Sequence, residues 1–255
     1  MKIAILQFNI AWLQPTENLR RLDSFMKTKP VADVYMLPEM FSTGFVMQPK
    51  DIREDADSDA LEWMKQQAYQ SDSAICGSIA MKDGEHFFNR FCFVKPDGSV
   101  TEYDKRHLFT YSGEQQHYTP GSKRVTVTYQ GVRMLLEVCY DLRFPVWSRN
   151  RHDYDIILYV ANWPTSRIKV WNTLLRARAI ENQCYVAGAN RIGSDPACNY
   201  CGCSAVIDPY GNPIVECGRE QEGWNVADID MVKLNAFRKK FPVLEDSDEF
   251  EIQTI

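Results

Sequence analysis

Short apolar runs and one-sided amphipathic stretches alternate along most of this chain. Lys2 to Asn9 carries Ile3, Ile5, Leu6 and Phe8 in one brief run, the pattern of a buried strand. From Pro15-Thr16-Glu17-Asn18 the apolar positions become Leu19, Leu22, Phe25 and Met26, and this spacing predicts a helix with one apolar face. Val31 to Leu37 is a second apolar run, closed by Pro38. Asp59 to Gln70 reads as a helix and Ala74 to Ala80 as the next strand. The pattern then changes. Asp83-Gly84 and Pro96-Asp97-Gly98 are turn signals around Phe87 to Val94 and Ser99 to Tyr103, which predicts antiparallel strands.

Arg106 to Ser122 has little periodicity, and loops of that length usually carry function. Arg124 to Tyr129, Gln130-Gly131 and Val132 to Val138 predict a hairpin. Beyond it the alternation resumes: a short helix over Phe144 to Arg151, a strand over Asp155 to Ala161, a helix over Lys169 to Gln183 and a strand over Cys184 to Asn190. Ser204 to Ile207 is expected to pair with Pro213 to Glu216, Gly223 to Ile229 completes the strands, and Met231 to Lys239 is a last helix. Helices mixed with hairpins favour an α/β chain with mixed sheets over one purely parallel sheet. A chain of 255 residues fits one large domain, here 1–255, with an acidic and solvated tail from about 243.

The charge balance narrows the partners. With 29 Lys+Arg against 34 Asp+Glu the net charge is -5, which argues against nucleic acid. No apolar run approaches a membrane span, and Met1 to Leu6 enters a strand pattern instead of a secretory leader, so a cytoplasmic protein is expected. The eight cysteines are then expected as free thiols. Cys198, Cys201 and Cys203 cluster, but structural zinc takes four ligands and no fourth lies nearby, so no metal is expected.

Three windows carry candidate chemistry. Cys139 stands between a strand end and the Phe144-Pro145 that opens a helix, where outward N–H groups and a helix dipole favour a thiolate. It reads equally as a core cysteine, and none of the four histidines forms a Cys-His signature with it. Glu39 follows a strand. It is either solvated or, packed among Leu37, Met40 and Phe41, a general base with a raised pKa. Lys105 follows another strand and is either a surface lysine or a fixed cation beside an oxyanion.

Taken together, LPEMFSTGF around Glu39, YDKRHLF around Lys105 and EVCYDLRFP around Cys139 resemble the nitrilase superfamily of carbon–nitrogen hydrolases, in the order that family keeps. Tyr159 to Pro164 (YVANWP) and Arg176 to Gln183 agree, so the resemblance runs from Lys2 to about Phe241. Within the superfamily the windows look most like bacterial omega-amidases, which hydrolyse the terminal amide of 2-oxo acids such as 2-oxoglutaramate. The resemblance implies an αββα sandwich of two mixed sheets flanked by helices, usually dimeric, with a Glu39-Lys105-Cys139 triad and no cofactor. It implies that Cys139 forms a thioester acyl-enzyme, that Lys105 and the Tyr140 backbone N–H hold the oxyanion, and that Glu114 is a second glutamate beside the triad. N-carbamoyl, aliphatic-amide and nitrile hydrolysis use the same triad, and a non-catalytic binding member of the fold is the alternative outside enzymes. The expected partners are a small amide, water and a second copy of the chain. By position alone Trp163, Arg167 and Phe109 are candidates for the substrate pocket, whereas Arg143 is expected to pair with a carboxylate beside the elbow.

Overall fold

The computed structural model of the protein describes residues 1–52 and 56–253. Its first half contains β1 (Lys2–Gln7), α1 (Pro15–Lys27), β2 (Val34–Met36), α2 (Ala56–Ser71), β3 (Ala74–Asp83), β4 (His86–Val94) and β5 (Val100–Asp104). The second half contains β6 (Thr126–Tyr129), β7 (Val132–Val138), α3 (Pro145–Ser148), β8 (Ile156–Ala161), α4 (Ile168–Asn182) and β9 (Tyr185–Asn190). A small hairpin, β10 (Ile192–Ser194) and β11 (Asn199–Cys201), precedes β12 (Ala205–Ile207), β13 (Pro213–Glu216), β14 (Gly223–Asp228) and α5 (Met231–Lys240).

Twelve of these strands form two six-stranded sheets, in the orders β14-β1-β2-β3-β4-β5 and β13-β12-β9-β8-β7-β6. Both are mixed: β1, β2 and β3 are parallel, as are β7, β8 and β9, while the outer strands pair antiparallel. The expected αββα sandwich is therefore present.

Side-chain alternation explains the layers. A strand sends successive side chains to opposite faces. In β1, Ile3 and Ile5 enter the core between the sheets, while Ala4 and Leu6 face the layer containing Leu22 of α1 and Met64 of α2. In β8, Ile156, Leu158 and Val160 enter the shared core, and Ile157 and Tyr159 pack with Trp171 and Leu175 of α4. Strands buried on both faces read as unbroken apolar runs, which is why the central strands show no polar alternation in the sequence.

The structure departs from the sequence reading in three places. The hairpin β10–β11 is absent from that reading, because its strands have only three residues each and its turn is held by Asp195, whose carboxylate accepts from Ala197 N and Cys198 N. The helix expected over Phe144 to Arg151 shrinks to one turn, Pro145–Ser148. Before it Cys139–Arg143 forms a 3-10 turn, and after it Asn150 N is captured by Asn182 Oδ1 at 2.9 Å. The acidic tail exposes its carboxylates, yet Phe250 lies 4.5 Å from the Arg151 guanidinium and Ile252 packs against the core.

Close contact between β9 and α4 sets a test of this packing. A Cβ at Gly188 would lie 2.7 Å from the Trp171 ring and 3.0 Å from Leu175, both buried. Gly188→Ala is expected to destabilise the protein by about 1–3 kcal/mol, read as a lower urea midpoint. An unchanged midpoint would show that α4 is free to move away from the sheet.

Candidate active site

Glu39 is placed by the way the chain leaves β2. Leu37 N still bonds Cys76 O at 2.7 Å, after which Pro38 ends the strand and Met40 turns through a φ of +42°. Leu37 and Met40 are buried in separate apolar clusters, with Phe41 beside Leu37. The carboxylate is not packed among them. It is completely buried, and Oε1 accepts from Asn89 Nδ2 at 2.7 Å and Lys105 Nζ at 3.2 Å. Oε2 accepts from Asn162 N at 2.7 Å. Its surroundings are polar, contrary to the apolar setting suggested by its flanks. Ser78 and Asn89, one on each strand of the β3–β4 pair, carry this arrangement: Ser78 Oγ bonds both Met40 N and Asn89 Oδ1, each at 2.9 Å.

Lys105 follows β5, its N–H bonding Asn89 O at 3.0 Å and so continuing the pairing with β4. Only 1% of it is exposed. The ammonium bonds both oxygens of Glu114, at 3.0 and 2.9 Å, as well as Glu39. Burial by itself would lower its pKa, but the carboxylates of Glu114 and Glu39 outweigh that and raise it. Glu114 sits within the long loop after β5, where Phe109 N also donates to it at 2.5 Å. Burial raises the Glu114 pKa against the opposing pull of Lys105. The loop expected over Arg106 to Ser122 thus contains two 3-10 turns and delivers a buried carboxylate.

Cys139 is the first residue after β7 and has a φ of +47°, a left-handed conformation that side chains adopt at a cost of about 1–3 kcal/mol and that clusters at functional sites. The 3-10 turn beginning at Cys139 is held by Asp141. Its carboxylate accepts from Val138 N, Tyr103 OH, His107 N and His107 Nδ1, at 3.0, 2.8, 2.9 and 2.8 Å. Tyr103 and His107 lie two residues either side of Lys105, so this carboxylate joins the cysteine's elbow to the lysine's strand. The thiolate expected from a helix dipole is corrected. No long helix begins here, and burial, the charge of Glu39 and a hydrogen bond to it push the Cys139 thiol well above its ordinary value, with Lys105 opposing.

Glu39, Lys105 and Cys139 line one cleft of about 300 Å³, together with Phe109, Tyr140, Trp163 and Arg167. Glu114 lies behind Lys105, outside that lining. Arg143 differs from expectation: among the described residues it has no ion pair, because Asp141 is already occupied. Its guanidinium lies 5.2 Å from the Trp163 ring in the cleft. Arg167 is likewise without an ion pair among the described residues, 5.1 Å from the Phe109 ring. The sequence reading misses Trp12, Asn162 and the β10–β11 turn as cleft walls. Asn162 lies in the matched YVANWP window, whereas nothing around Trp12 signals its position.

The fold and this strand-end cleft define a hydrolase built on an αββα sandwich. The chain belongs to the carbon–nitrogen hydrolase family, which it matches over residues 2–239. It is 46% identical over 253 residues to the omega-amidase YafV of Escherichia coli (strain K12), covering 99% of this chain and 98% of that protein. The 2-oxoglutaramate amidase of Bacillus subtilis (strain 168) is 36% identical, with 96% of each chain covered. XC1258 from Xanthomonas campestris, a CN-hydrolase superfamily protein whose crystal structure has an arsenic adduct in the active site, superposes with a TM-score of 0.92, 38% identity and 99% of each chain covered.

The state of the thiol is measurable. A raised pKa means that Cys139 is protonated at pH 7 and that its thiolate fraction climbs tenfold per pH unit until the pKa is reached. Its alkylation by a neutral haloacetamide, followed by peptide mapping, is expected still to accelerate at pH 9, the ordinary thiol value. A rate that levels off below about pH 8 would show a stabilised thiolate instead.

Proposed function

We propose that the protein is an omega-amidase that hydrolyses the terminal amide of small 2-oxo acids, such as 2-oxoglutaramate, through a cysteine thioester. The observation that carries this reading is the pair of guanidiniums without ion pairs among the described residues, Arg143 and Arg167, in the cleft that Cys139, Glu39 and Lys105 line. A 2-oxo-acid amide has an amide at one end for the thiol and a carboxylate at the other for a guanidinium. The names of the bacterial relatives support the same substrate.

Because the thiol is held protonated, its proton leaves as the sulfur attacks. Glu39 takes that proton while Cys139 Sγ bonds the amide carbon, and the carbonyl electrons move onto oxygen. Lys105 Nζ and the Tyr140 N–H face the oxyanion. The latter lies in the first turn of the 3-10 segment, where N–H groups lack partners within the helix. Glu39 then returns the proton to nitrogen as the carbon–nitrogen bond breaks, and ammonia leaves. A water molecule, giving its proton to Glu39, attacks the thioester and releases the acid and the thiol. Glu114 grips Lys105 by two hydrogen bonds and aims its ammonium.

Self-association through the face around α5 is part of the proposal. Ile180, Tyr210 and Phe241 are exposed there, and the Tyr210 and Phe237 rings stand 4.1 Å apart. The cysteines are all unpaired, which suits a cytoplasmic location. Among the described residues no helix is long and apolar enough to cross a membrane.

Ammonia release from 2-oxoglutaramate, a simple aliphatic amide and a nitrile tests the substrate. The first is expected to react fastest and Cys139→Ala to abolish turnover; no release from any of the three by the wild type would end the amidase reading. Arg143→Ala and Arg167→Ala are each expected to raise KM about tenfold to a hundredfold with a smaller fall in kcat. Unchanged kinetics would remove that arginine from the carboxylate's path. Sedimentation of Tyr210→Glu is expected to show monomers where the wild type shows dimers.

A further inference from the structure

Among the described residues, the cleft leaves one of its own buried polar atoms without a partner. Asn162 follows β8, which runs parallel to β7 with Val160 beside Val138, so Asn162 and Cys139 emerge from the same ends of neighbouring strands. Only 5% of Asn162 is exposed, and it lines the cleft. Its backbone N–H donates to Glu39 Oε2 at 2.7 Å, and its Nδ2 donates to Glu39 O at 2.7 Å and to Oε2 at 3.4 Å. These acceptors fix which way the carboxamide points, since a flipped group would set its oxygen against the Glu39 carbonyl. Asn162 Oδ1 therefore faces away from Glu39, and it has no hydrogen-bond partner among the described residues. A buried acceptor left unsatisfied is destabilising, so its retention at a reaction cleft calls for a donor.

We propose that Asn162 Oδ1 accepts a hydrogen bond from the N–H₂ group of the scissile amide, and so selects amides over esters. The proposal rests on the amidase reading above. That reading gives the carbonyl oxygen two donors, the Lys105 ammonium and the Tyr140 N–H, but nothing in it fixes the nitrogen. An amide nitrogen must rotate and become pyramidal before its lone pair meets the proton returned by Glu39. An acceptor on one N–H sets that rotation and leaves the lone pair toward the Glu39 carboxyl. Asn162 takes no proton: the carbon–nitrogen bond breaks with its electron pair going to nitrogen, and the proton comes from Glu39. An ester oxygen at the same place has no hydrogen to offer, and its lone pairs would face Oδ1.

Asn162 also anchors Glu39, so loss of activity in a variant does not distinguish the two roles. The ratio of two substrates does. The amide and the methyl ester of the same 2-oxo acid share one acyl-enzyme, and kcat/KM for each reports acylation. For Asn162→Ala the amide-to-ester ratio of kcat/KM is expected to fall about tenfold to a hundredfold relative to wild type. Parallel losses on both substrates would reduce Asn162 to a support for Glu39 and overturn the proposal, as would an unchanged ratio with full activity. If Asn162→Ala does not fold, Asn162→Ser, which is too short to reach the amide, carries the same comparison. Failure of the amidase reading is seen separately, as a wild type that releases no ammonia.

Discussion

A single buried ammonium sets the terms for the rest of the site. Lys105 is taken out of water together with Glu39 and Glu114, and each buried ion carries a desolvation penalty of about several kcal/mol unless partners compensate it. Three residues from three separate parts of the chain must therefore arrive together. Glu39 comes from the end of β2, Lys105 from the end of β5 and Glu114 from the loop beyond. Removing Lys105 would leave two carboxylates in the interior with no cation between them. The polar shell around them stems from the same constraint, because Asn89 and Phe109 N supply the donors that the carboxylate oxygens still need.

The cluster also governs the Cys139 thiol. With both carboxylates ionised the group carries one net negative charge before Cys139 is considered, and a buried thiolate would add a second. Burial and the charge of Glu39 push the thiol's pKa up, and Lys105 alone does not offset them. Asp141 serves this arrangement from behind, since one carboxylate fixes the turn after Cys139 and both neighbours of Lys105. It holds sulfur and ammonium in register although they belong to different sheets.

Much of this is legible in the sequence, and the limits have physical reasons. Lys105 and Cys139 are readable because each immediately follows a strand, and Glu39 because it lies just beyond one; strand ends are local features. The sandwich comes from the family resemblance, since apolar runs do not say that β14, from the far end of the chain, lies beside β1. The hairpin β10–β11 escapes because its strands are too short to show a period. Arg143 misleads for an instructive reason: Asp141 stands two residues away and looks like its partner, but four donors from three other residues, Val138, Tyr103 and His107, already occupy that carboxylate. Sequence proximity does not reveal competition for a partner. The polar environment of Glu39 is hidden in the same way, since Asn89 and Asn162 are 50 and 123 residues away.

The two faces of Glu39 show how the site divides its work. Oε1 is turned to Lys105 and Asn89, on the side of the proposed oxyanion site. Oε2 is turned to Asn162, on the side of the proposed leaving-nitrogen site. In the proposed reaction a carboxylate that takes a proton from sulfur and returns it to nitrogen would have to serve both sides without swinging between them, and these bonds hold it still. The neutral donors of Asn89 and Asn162 do this without adding a second cation, which would have held the proton off Glu39 more strongly. Among the described residues one lysine bonds Glu39, and Glu114 shares it. Glu39 is left with both of its oxygens held by fixed hydrogen bonds.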